Sequence, residues 1–551
     1  MNTHQFSLNL RQHTPLIHFQ WFEDGATLRA SEIKPKLDRF ILDKLGKLGT
    51  EHIDWAREQW KQENAGKDVQ IFDALPVRGK GKYIAGRLGW LVGKGEHPAL
   101  NYKIKVCADG VDNECYINEK KVDRHTGEYC IDPQRGIYKL NTYPLYLGNL
   151  DKNIEDDREY KRFAWTDNLI ELTVFSFDSD LLQLLNGEVY RYTEWEKNLC
   201  FQIPGLMDEF FFHTNFGSRQ SKGFGSFTVD RGEHVTLTNH PFRTTPFFRV
   251  TAKKQEKKEQ WEELFSGIDL FYKFLRGGIN QSGLYLKPFI FQYMKEYMGY
   301  NWEKRYIKEK YFNELLYGYR DRWGNVKEVD NLSWQKDKHK DQPDSPLLYD
   351  NKDYRLIRDL FGLSVSADWG SYNATIDKED SVTAPQDEGK KDIITRFPSP
   401  LLFKVVKEKE KQTLRLVLPA SKVVKEIEKV RETVYYVGIL LNTDLIASFQ
   451  KYLRGHKFII QGKFKRGTCE LNEQGILGEE LKDLGLPDCR IAFPQQFSSE
   501  HPKMTFEEFW VDFFTRLNEM KEISLKVPEM KSTDLGRKLS RILKDYSYNK
   551  K

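Results

Sequence analysis

The spacing of apolar residues predicts two long amphipathic helices. From residue 31 to about residue 47, apolar side chains stand three or four positions apart, at Ile33, Leu37, Phe40, Ile41, Leu45 and Leu48. Ser31 is suited to cap this helix, and Pro35 falls in its first turn, where a proline costs least. The same spacing from about residue 257 to 276 predicts a second helix, which we expect Gly277 and Gly278 to end.

Runs of apolar, β-branched and aromatic residues predict strands in both halves of the chain. In the first half they cover residues 6–19, 169–177 and 226–229, and Asp178 or Ser179 is placed to cap a short helix that runs to Leu185. In the second half they cover residues 247–251, 401–406, 434–441 and 458–464. This alternation of strands with a few helices is typical of an α+β fold.

The rest of the second half is predicted from weaker patterns. Residues 285–316 have a helical pattern, whereas residues 321–353 and 376–391 are polar and predict long loops. Thr505 and Glu508 form a capping box before a further helix, and residues 535–551 form a basic amphipathic tail.

The length and composition indicate more than one domain. A chain of 551 residues, with 39% apolar and 14% aromatic residues, is long enough and apolar enough for two cores. We predict domains at residues 1–250 and 251–551. The 86 basic and 81 acidic residues leave a net charge of only +5, so any nucleic-acid surface must be a local concentration of positive charge.

The cysteines and the apolar runs bear on location and on metals. The six cysteines include no CxxC pair, which fits a reducing compartment. No zinc motif is present, and we expect no metal and no cofactor, although the nearest set is Cys107, Cys115, His125 and Cys130. No run approaches the roughly 20 apolar residues of a membrane span, and residues 1–10 have no apolar signal core. We therefore expect a soluble, cytoplasmic protein with no membrane partner.

The strongest chemical signal is a glycine-rich basic loop at residues 216–227, called the glycine loop below. Its glycines and two basic residues favour close approach by an anion, and they are Gly217, Gly223, Gly225, Arg219 and Lys222. Phe224 is able either to stack on a base or to pack beneath the loop. The residue order matches neither a P-loop nor a dinucleotide fingerprint. The loop therefore suits the phosphates and bases of RNA, and the alternative is a hairpin turn with solvated charges.

Three segments resemble the RAMP superfamily of CRISPR-associated proteins. The glycine loop resembles the G-rich loop of that superfamily, in which glycine and arginine precede a short basic or serine stretch and Gly-Phe-Gly. Residues 28–39 (LRASEIKPKLDR) are similar to the RAMP opening, roughly LRxxSxKGxLR, with Pro35 where glycine is usual. Residues 396–404 (RFPSPLLFK) resemble a segment of the Cmr-type RAMP subunit that lies at the guide-RNA 3′ end of type III-B effector complexes.

This resemblance implies a fold and a function. It implies an α+β chain of two ferredoxin-like (RRM-related) domains with helical and loop insertions. It implies a non-catalytic, RNA-binding structural subunit in antiviral defence, whose partners are guide RNA, target RNA and other CRISPR effector subunits. By position it assigns these contacts to the glycine-loop residues Gly217, Arg219, Lys222, Gly223 and Gly225, and to the first-helix residues Arg29, Lys34, Lys36 and Arg39.

Two other functions stay open at this point. One is a metal-independent endoribonuclease that processes guide RNA, with a histidine as general acid or base or an aspartate on a loop; the candidates are His13, His18, His213, Asp109 and Asp112. Lone histidines are more often structural, and loop aspartates are usually turn formers. The other is a protein-only scaffold whose glycine loop contacts a neighbouring subunit.

Two further basic stretches have weaker signals. Residues 78–95 are rich in glycine and basic residues and include Tyr83 and Trp90. They form either a phosphate surface with stacking rings or a solvated loop between two short strands. The tail residues Arg537, Lys538 and Arg541 are predicted to be solvated.

Overall fold

The structure is a computed structural model of the chain. It describes residues 4–18, 27–64, 69–93, 98–113, 118–123, 126–131, 140–142, 162–194, 197–232, 241–254, 256–281, 284–302, 318–320, 326–328, 354–355, 357–362, 366–369, 374–380, 398–408, 411–417, 426–442, 445, 458–464, 489–491, 505–520 and 533–548.

Helices and strands are mixed along the described residues, which confirms the α+β prediction. The helices are α1 (Ala30–Leu45), α2 (Thr50–Glu63), α3 (Gln70–Ala74), α4 (Val77–Arg87), α5 (Ser179–Leu185), α6 (Leu206–His213), α7 (Lys257–Arg276), α8 (Phe289–Met298), α9 (Phe506–Met520) and α10 (Asp534–Asp545). The strands are β1 (Gln5–Gln12), β2 (Leu91–Val92), β3 (Ala99–Leu100), β4 (Lys103–Cys107), β5 (Asn118–Lys120), β6 (Leu140–Thr142), β7 (Ile170–Phe175), β8 (Tyr190–Glu194), β9 (Lys197–Phe201), β10 (Phe227–Val229), β11 (Phe247–Ala252), β12 (Ile279–Gln281), β13 (Leu284–Leu286), β14 (Asn301–Trp302), β15 (Gly318–Arg320), β16 (Val326–Glu328), β17 (Tyr354–Arg355), β18 (Ser366–Trp369), β19 (Ala374–Asp380), β20 (Leu401–Lys407), β21 (Lys411–Val417), β22 (Glu426–Leu441), β23 (Phe458–Phe464) and β24 (Cys489–Ile491).

Contacts between residues divide the chain into two compact units. The first unit joins Met1–Asp269 to Phe403–Leu440, and the second joins Leu270–Leu402 to Leu441–Lys551. The first unit is therefore assembled from two stretches that lie far apart in sequence. The domain boundary near residue 250 stays a prediction.

The first unit contains an antiparallel sheet of order β10-β1-β7-β4. In chain order these strands are the fourth, first, third and second of the sheet. Strand β1 ends at Gln12, earlier than the predicted run 6–19, and the chain then makes an isolated bridge at Leu16 with Ala164. Side chains alternate across the strands, so one face is apolar and carries Phe6, Leu8, Leu10, Ile104, Val106, Ile170, Leu172 and Val174.

Helix α1 packs in the same core as this apolar face, as its periodicity predicted. Ile33, Leu37 and Ile41 are fully buried in that core. Ser31 does not cap the helix, so that prediction was wrong. The extended residue before the helix is Arg29, whose carbonyl accepts from the amides of Glu32 and Ile33 at 3.0 and 3.1 Å.

Helix α4 covers residues 78–87, so the solvated loop that was one of the two alternatives for residues 78–95 was wrong for that part. Its glycines allow it to approach α1 closely, since a Cβ on Gly81 would lie 1.8 Å from the Leu42 carbonyl oxygen. The contact is reciprocal, because a Cβ on Gly46 would lie 1.9 Å from the Val77 carbonyl oxygen. Two backbones in contact exclude side chains, so glycine is required on each side of this crossing.

Helix α5 begins where the sequence placed it. The Asp178 carboxylate accepts from the amides of Asp180 and Leu181 at 3.0 and 2.9 Å, so Asp178 rather than Ser179 is the cap. Its leucines Leu181, Leu184 and Leu185 enter the same core as α1.

A second sheet of the first unit has the order β11-β22-β20, with β21 also paired to β22. Strand β11 pairs with β22 from Phe247↔Gly438 to Ala252↔Thr433. Helix α7 has the predicted bounds, and its residues Trp261, Leu264 and Phe265 are buried.

The second unit is built around an aromatic core. Rings of α8 and α9 meet there, with Tyr293 and Phe513 at 5.4 Å and Phe289 and Phe513 at 5.0 Å between centroids. The Tyr293 hydroxyl donates to Asp512 at 2.6 Å, and burial raises the pKa of Tyr293. The same unit contains a sheet of order β18-β19-β23-β24.

The patterns of the second half had mixed outcomes. The capping box is confirmed, because the amides of Thr505 and Glu508 each donate to the other's side chain at 2.7 and 3.2 Å. The predicted helix 285–316 was wrong in extent, since α8 starts after Pro288 and ends at Met298, before the left-handed Gly299. Residues 303–317 lie outside the described residues. The predicted loops contain β16 and the end of β19, and the tail contains α10.

Candidate nucleic-acid interface

The two ends of the glycine loop are fastened to the segment that follows β1. The Phe216 amide donates to Gly225, the Gly225 amide to Pro15 and the Ser218 amide to Ile17, at 2.9, 2.9 and 2.8 Å. The Thr14 hydroxyl donates to the Gly223 carbonyl at 2.7 Å and accepts from the Ser226 amide at 2.9 Å. These bonds hold the base of the loop against its own domain.

The predicted site glycines Gly217 and Gly225 serve this internal contact. Both have positive φ, 73° and 63°. A Cβ on Gly217 would lie 2.6 Å from the Ile17 carbonyl oxygen, and one on Gly225 would lie 2.0 Å from the Phe216 carbonyl oxygen. We predicted from the sequence that these glycines allow a ligand to approach the main chain. At these two positions the close neighbour is instead the protein's own backbone.

Phe224 and Gly223 form the underside of the loop. Phe224 is fully buried and stacks on Phe265 of α7, with centroids 3.8 Å apart and planes 12° apart. A Cβ on Gly223 would lie 3.2 Å from both Ile268 and Val405. Of the two predicted roles for Phe224, packing beneath the loop is confirmed and stacking on a base is wrong.

Lys404 of β20 is a buried cation beneath the same loop. Its ammonium lies 2.7, 3.0 and 2.8 Å from the carbonyl oxygens of Phe211, Thr214 and Phe227, and 3.2 Å from the side-chain oxygen of Asn215. Burial lowers the pKa of Lys404. The four oxygens each accept and none donates, so they stabilise the ammonium form against that effect.

The tip of the glycine loop is different from its base, because its side chains reach the surface. Gln220–Lys222 form a 3₁₀ turn, and the Lys222 amide donates to the Arg219 carbonyl at 2.8 Å. Arg219 has a φ of 57°, the only positive value for a non-glycine among the described residues. Arg219 and Lys222 are partly exposed. Such local strain concentrates at functional sites, and here it sets the direction of a basic turn.

Of the basic residues assigned to the first helix, Lys36 meets this tip. Its ammonium donates to the Asn215 carbonyl and to the Gln220 side chain at 2.7 and 2.6 Å. It also lies 4.8 Å from the centroid of the Phe216 ring. Burial lowers the pKa of Lys36 to about 8. Lys36, Arg219 and Lys222 therefore form one basic group, called the basic tip below.

The other assigned residues of the first helix are placed elsewhere. The Lys34 ammonium donates to Asp38 at 3.1 Å and to the Leu100 carbonyl at 2.9 Å, and it lies 3.9 Å from the Tyr102 ring centroid. Arg39 is exposed and donates to the Pro35 carbonyl at 3.0 Å. Arg29 is partly buried at the start of α1. Lys34 is thus held by partners within its own domain, whereas Arg39 faces solvent.

The candidate general acids and bases occupy three different environments. His13 is buried, its Nδ1 accepts from the Lys407 amide at 3.0 Å, and its Nε2 lies 2.7 Å from the Thr228 hydroxyl. Burial lowers the pKa of His13 well below its usual value. His18 is buried, with Nδ1 3.9 Å from a Glu32 carboxylate oxygen, and His213 is exposed at the end of α6.

The candidate aspartates lie in a turn. The Asp109 carbonyl accepts from the Thr166 hydroxyl at 2.7 Å, and the Asp112 backbone bridges to Trp165. Among the described residues, no group of three or more His, Cys, Asp or Glu side chains is placed to hold a metal ion. Cys115 and His125 of the nearest metal set lie outside the described residues.

Comparison with protein families adds the decisive observation. The family model described as Cmr1 N-terminal domain matches residues 3–279, and the one described as Cmr1 C-terminal domain matches residues 285–467. The chain belongs to the Cmr1 family. It is thus a two-domain Cmr1-type RAMP protein of type III-B CRISPR systems, and such a subunit belongs to an effector complex with other subunits. No curated protein and no solved structure matches the chain.

The second glycine-rich basic run of this Cmr1-family chain has its charge partly balanced. Arg78 donates to the Asp43 carboxylate at 2.9 and 2.5 Å, and Arg87 pairs with Glu63. Tyr83 also donates to Glu63, at 2.8 Å, and Trp90 is fully buried. The rings that were candidates for stacking are therefore used in packing. Lys94 and Gly95 lie outside the described residues.

Two residues of the site were missed from the sequence of this Cmr1-family chain. Lys404 stands in the quoted segment RFPSPLLFK, but nothing in that segment shows that the lysine is buried. Asn215 immediately precedes the loop, and its amide donates to the carbonyls of Gln220 and Phe403 at 2.8 and 2.9 Å. A lysine between apolar strand residues was the available signal, because such a lysine needs several acceptors.

Among the described residues, no helix is long and apolar enough to span a membrane.

Proposed function

We propose that this Cmr1-family chain is a non-catalytic RNA-binding subunit of its type III-B complex in antiviral defence. It contacts the backbone of guide RNA, or of the guide–target duplex, and touches neighbouring subunits. Base pairing by the guide supplies the sequence recognition, as in RNA-guided systems generally. The predicted cytoplasmic location belongs to the same proposal.

The observation that carries this proposal is the contrast within the glycine loop. Its base is immobilised by backbone bonds and by Lys404, while the turn carrying Arg219 and Lys222 reaches the surface. A basic group held on a rigid support meets phosphates with little loss of conformational freedom on binding. The basic tip thus suits contacts to a phosphate backbone, which fix position without reading sequence.

The fold supports the same proposal. The strand order fourth-first-third-second, with helices after the first and third strands, is that of a ferredoxin-like βαββαβ domain. The second sheet, β11-β22-β20, repeats the first-third-second part of this order with α7 after its first strand. We infer that both sheets derive from ferredoxin-like units, the fold class to which RNA-recognition modules belong.

The histidine environments favour binding over cleavage. Because Nδ1 of His13 accepts from a backbone amide, its proton is on Nε2, which donates to Thr228. Burial keeps this imidazole neutral and both its nitrogens are occupied, which suits a structural residue better than a general acid.

The test is RNA binding by the full chain with Arg219→Ala and Lys222→Ala combined. Kd is measured at several salt concentrations. The slope of log Kd against log salt concentration should fall by about 1.4 in the double variant, since each phosphate contact on a single strand contributes about 0.7. The matched control is Lys47→Ala with Lys61→Ala, which removes two exposed lysines, one in the turn after α1 and one in α2. Unchanged RNA binding and unchanged assembly of the double variant would sink the assignment of the basic tip.

The competing functions predict different results with the same protein. An endoribonuclease would cut repeat RNA in the presence of EDTA, and His18→Ala would abolish that cutting without unfolding the chain. A protein-only scaffold would give no photocrosslink between RNA and residues 216–227.

A further inference from the structure

The outer face of the first sheet is mostly polar and faces solvent. It is the face opposite the apolar core, and successive strands contribute alternate residues to it. Across the sheet these residues form three rungs, which are Lys103–Phe175–Gln5, Lys105–Thr173–Ser7 and Cys107–Glu171–Asn9. The residues of β1 and β4 in these rungs are exposed. In β7, between them, Glu171 is exposed but Thr173 is buried, so this side of the sheet is most open along β1 and β4.

One aromatic ring at the end of this sheet is exposed to an unusual degree. Phe177, two residues beyond the end of β7, has 89% of its surface exposed. A large apolar side chain left in water is informative because burial of such a ring is worth about 2 kcal/mol or more. The ring of His4 lies 5.9 Å from it between centroids.

The backbone around Phe177 is fixed although its ring is exposed. The Ser176 amide donates to the His4 carbonyl at 3.1 Å, and the Ser176 hydroxyl donates to the Asn101 carbonyl at 2.7 Å. The Asp178 amide donates to the Ser176 hydroxyl at 3.1 Å, and Asp178 then caps α5. Phe177 is thus a ring on a rigid support, unlike an aromatic residue in a loose loop.

Positive charge lies on the adjoining edge of the sheet. Lys103 and Lys105 are exposed on β4, in the two rungs nearest to Phe177. The Glu171 carboxylate lies in the third rung, farther from Phe177, and Arg11 of β1 is paired with Asp230 at 3.2 Å. Two exposed lysines therefore lie in the rungs nearest the exposed ring, and the Asp178 carboxylate that follows the ring is engaged in capping α5.

We propose that the outer face of the first sheet is a second RNA-binding surface, which takes a single-stranded segment. Phe177 stacks on an unpaired base, and Lys103 and Lys105 contact the phosphates beside it. A basic edge next to an exposed ring complements a phosphate backbone that carries planar bases. A duplex hides the faces of its bases, so the ring selects a single strand. This inference rests on the proposed function but uses none of the basic-tip residues.

The experiment measures binding of a labelled oligouridine of about 15 nucleotides to the full chain by fluorescence anisotropy. Phe177→Ala and Phe177→Leu should each weaken binding roughly tenfold, because leucine restores apolar area but not a stacking ring. Phe177→Trp should bind within about twofold of the parent chain.

Charge is tested separately from stacking. Lys103→Glu with Lys105→Glu should weaken binding by about tenfold or more at low salt and flatten its salt dependence. The matched control, Lys47→Glu with Lys61→Glu, makes the same change in net charge at exposed positions in the turn after α1 and in α2. It should leave affinity within about threefold, since screening limits charges beyond a Debye length.

Mapping the contact completes the test. With 4-thiouridine in the RNA, we expect a photocrosslink on the segment that contains Phe177, and its loss in Phe177→Leu. One outcome would overturn the sheet-face inference and leave the proposed function standing. In it, the parent chain binds RNA, the Arg219/Lys222 variant binds RNA more weakly, and all Phe177 and Lys103/Lys105 variants bind RNA normally. If the parent chain binds no RNA, both fail. Normal RNA affinity of Phe177→Ala together with its loss from the assembled complex would identify a protein partner instead and overturn the inference.

Discussion

Two stretches of the first unit share a composition rich in glycine and basic residues but differ in structure. In the glycine loop, Gly217, Gly223 and Gly225 all have positive φ. In α4, by contrast, Gly79 and Gly81 lie within an ordinary helix. The first stretch presents its charge at a turn, and the second balances much of its charge against Asp43 and Glu63.

The two stretches nevertheless use glycine for a common purpose. In each, a backbone carbonyl approaches within about 2 Å of where a Cβ would stand, at Gly225 from Phe216 and at Gly81 from Leu42. The protein's own main chain is the close neighbour in both cases. Glycine next to lysine or arginine therefore indicates close backbone packing at least as strongly as it indicates an anion site.

The largest expected effect concerns the cation beneath the glycine loop. Lys404→Met should lower the free energy of unfolding by about 4 kcal/mol, because it leaves four buried oxygens without their donor. Urea denaturation measures the change. Lys407→Met, in the same strand but partly exposed, is the control and should cost less than about 1 kcal/mol. Equal costs for the two variants would mean that the loop does not depend on Lys404.

The next effect separates close packing from backbone conformation in the loop. Gly225→Ala should destabilise the chain by about 3 kcal/mol, since it combines a positive φ with a Cβ 2.0 Å from a carbonyl oxygen. Gly232→Ala has a similar φ, 74°, with nothing within 4 Å, and should cost only about 1 kcal/mol. Thermal denaturation of both variants gives the comparison, and a smaller cost at Gly225 would contradict the packing role.

The smallest effect tests the same idea in the helix. Gly81→Ala should cost about 2 kcal/mol, because the clash with Leu42 exceeds the gain of about 1 kcal/mol in helix propensity. At Gly86 of the same helix a Cβ would make an ordinary contact, 3.6 Å from Leu91, so Gly86→Ala should stabilise by about 0.5–1 kcal/mol. Urea denaturation measures the change in the free energy of unfolding for both variants. Changes of opposite sign would confirm the close crossing of α1 and α4, whereas a stabilising Gly81→Ala would refute it.

Local patterns predicted much of the fold. Local sequence was sufficient to predict three features, because each depends on residues close together in the chain. They are the bounds of α7, the Asp178 cap and the capping box before α9. Failures occurred where tertiary contacts decide. Three glycines and several charges made α4 look like a loop, because the α1 crossing that requires glycine is invisible in a single segment.

The candidate site was predicted in part for the same reason. Its position in the chain was evident from composition, and Lys36 does lie beside the loop as the family resemblance implies. The sequence did not show that the loop is divided into a buried base and an exposed tip. That division depends on Phe265 and Lys404, which are far away in sequence. Phe177 passed unnoticed, since exposure cannot be seen in a strand-like run of apolar residues.

The two-stretch construction of the first unit has a consequence for biosynthesis. Phe227 and its donor Lys404 are 177 residues apart, so the ribosome completes the glycine loop long before it makes the cation that fastens it. At translation rates of about 5–20 residues per second, the interval is on the order of 10 s or more. During that time the nascent chain lacks the strand that supplies Lys404 and Val405 to the loop. The first unit therefore matures only after most of the protein has been synthesised, and its folding is linked to translation of the part of the second unit that lies between its two stretches, Leu270–Leu402.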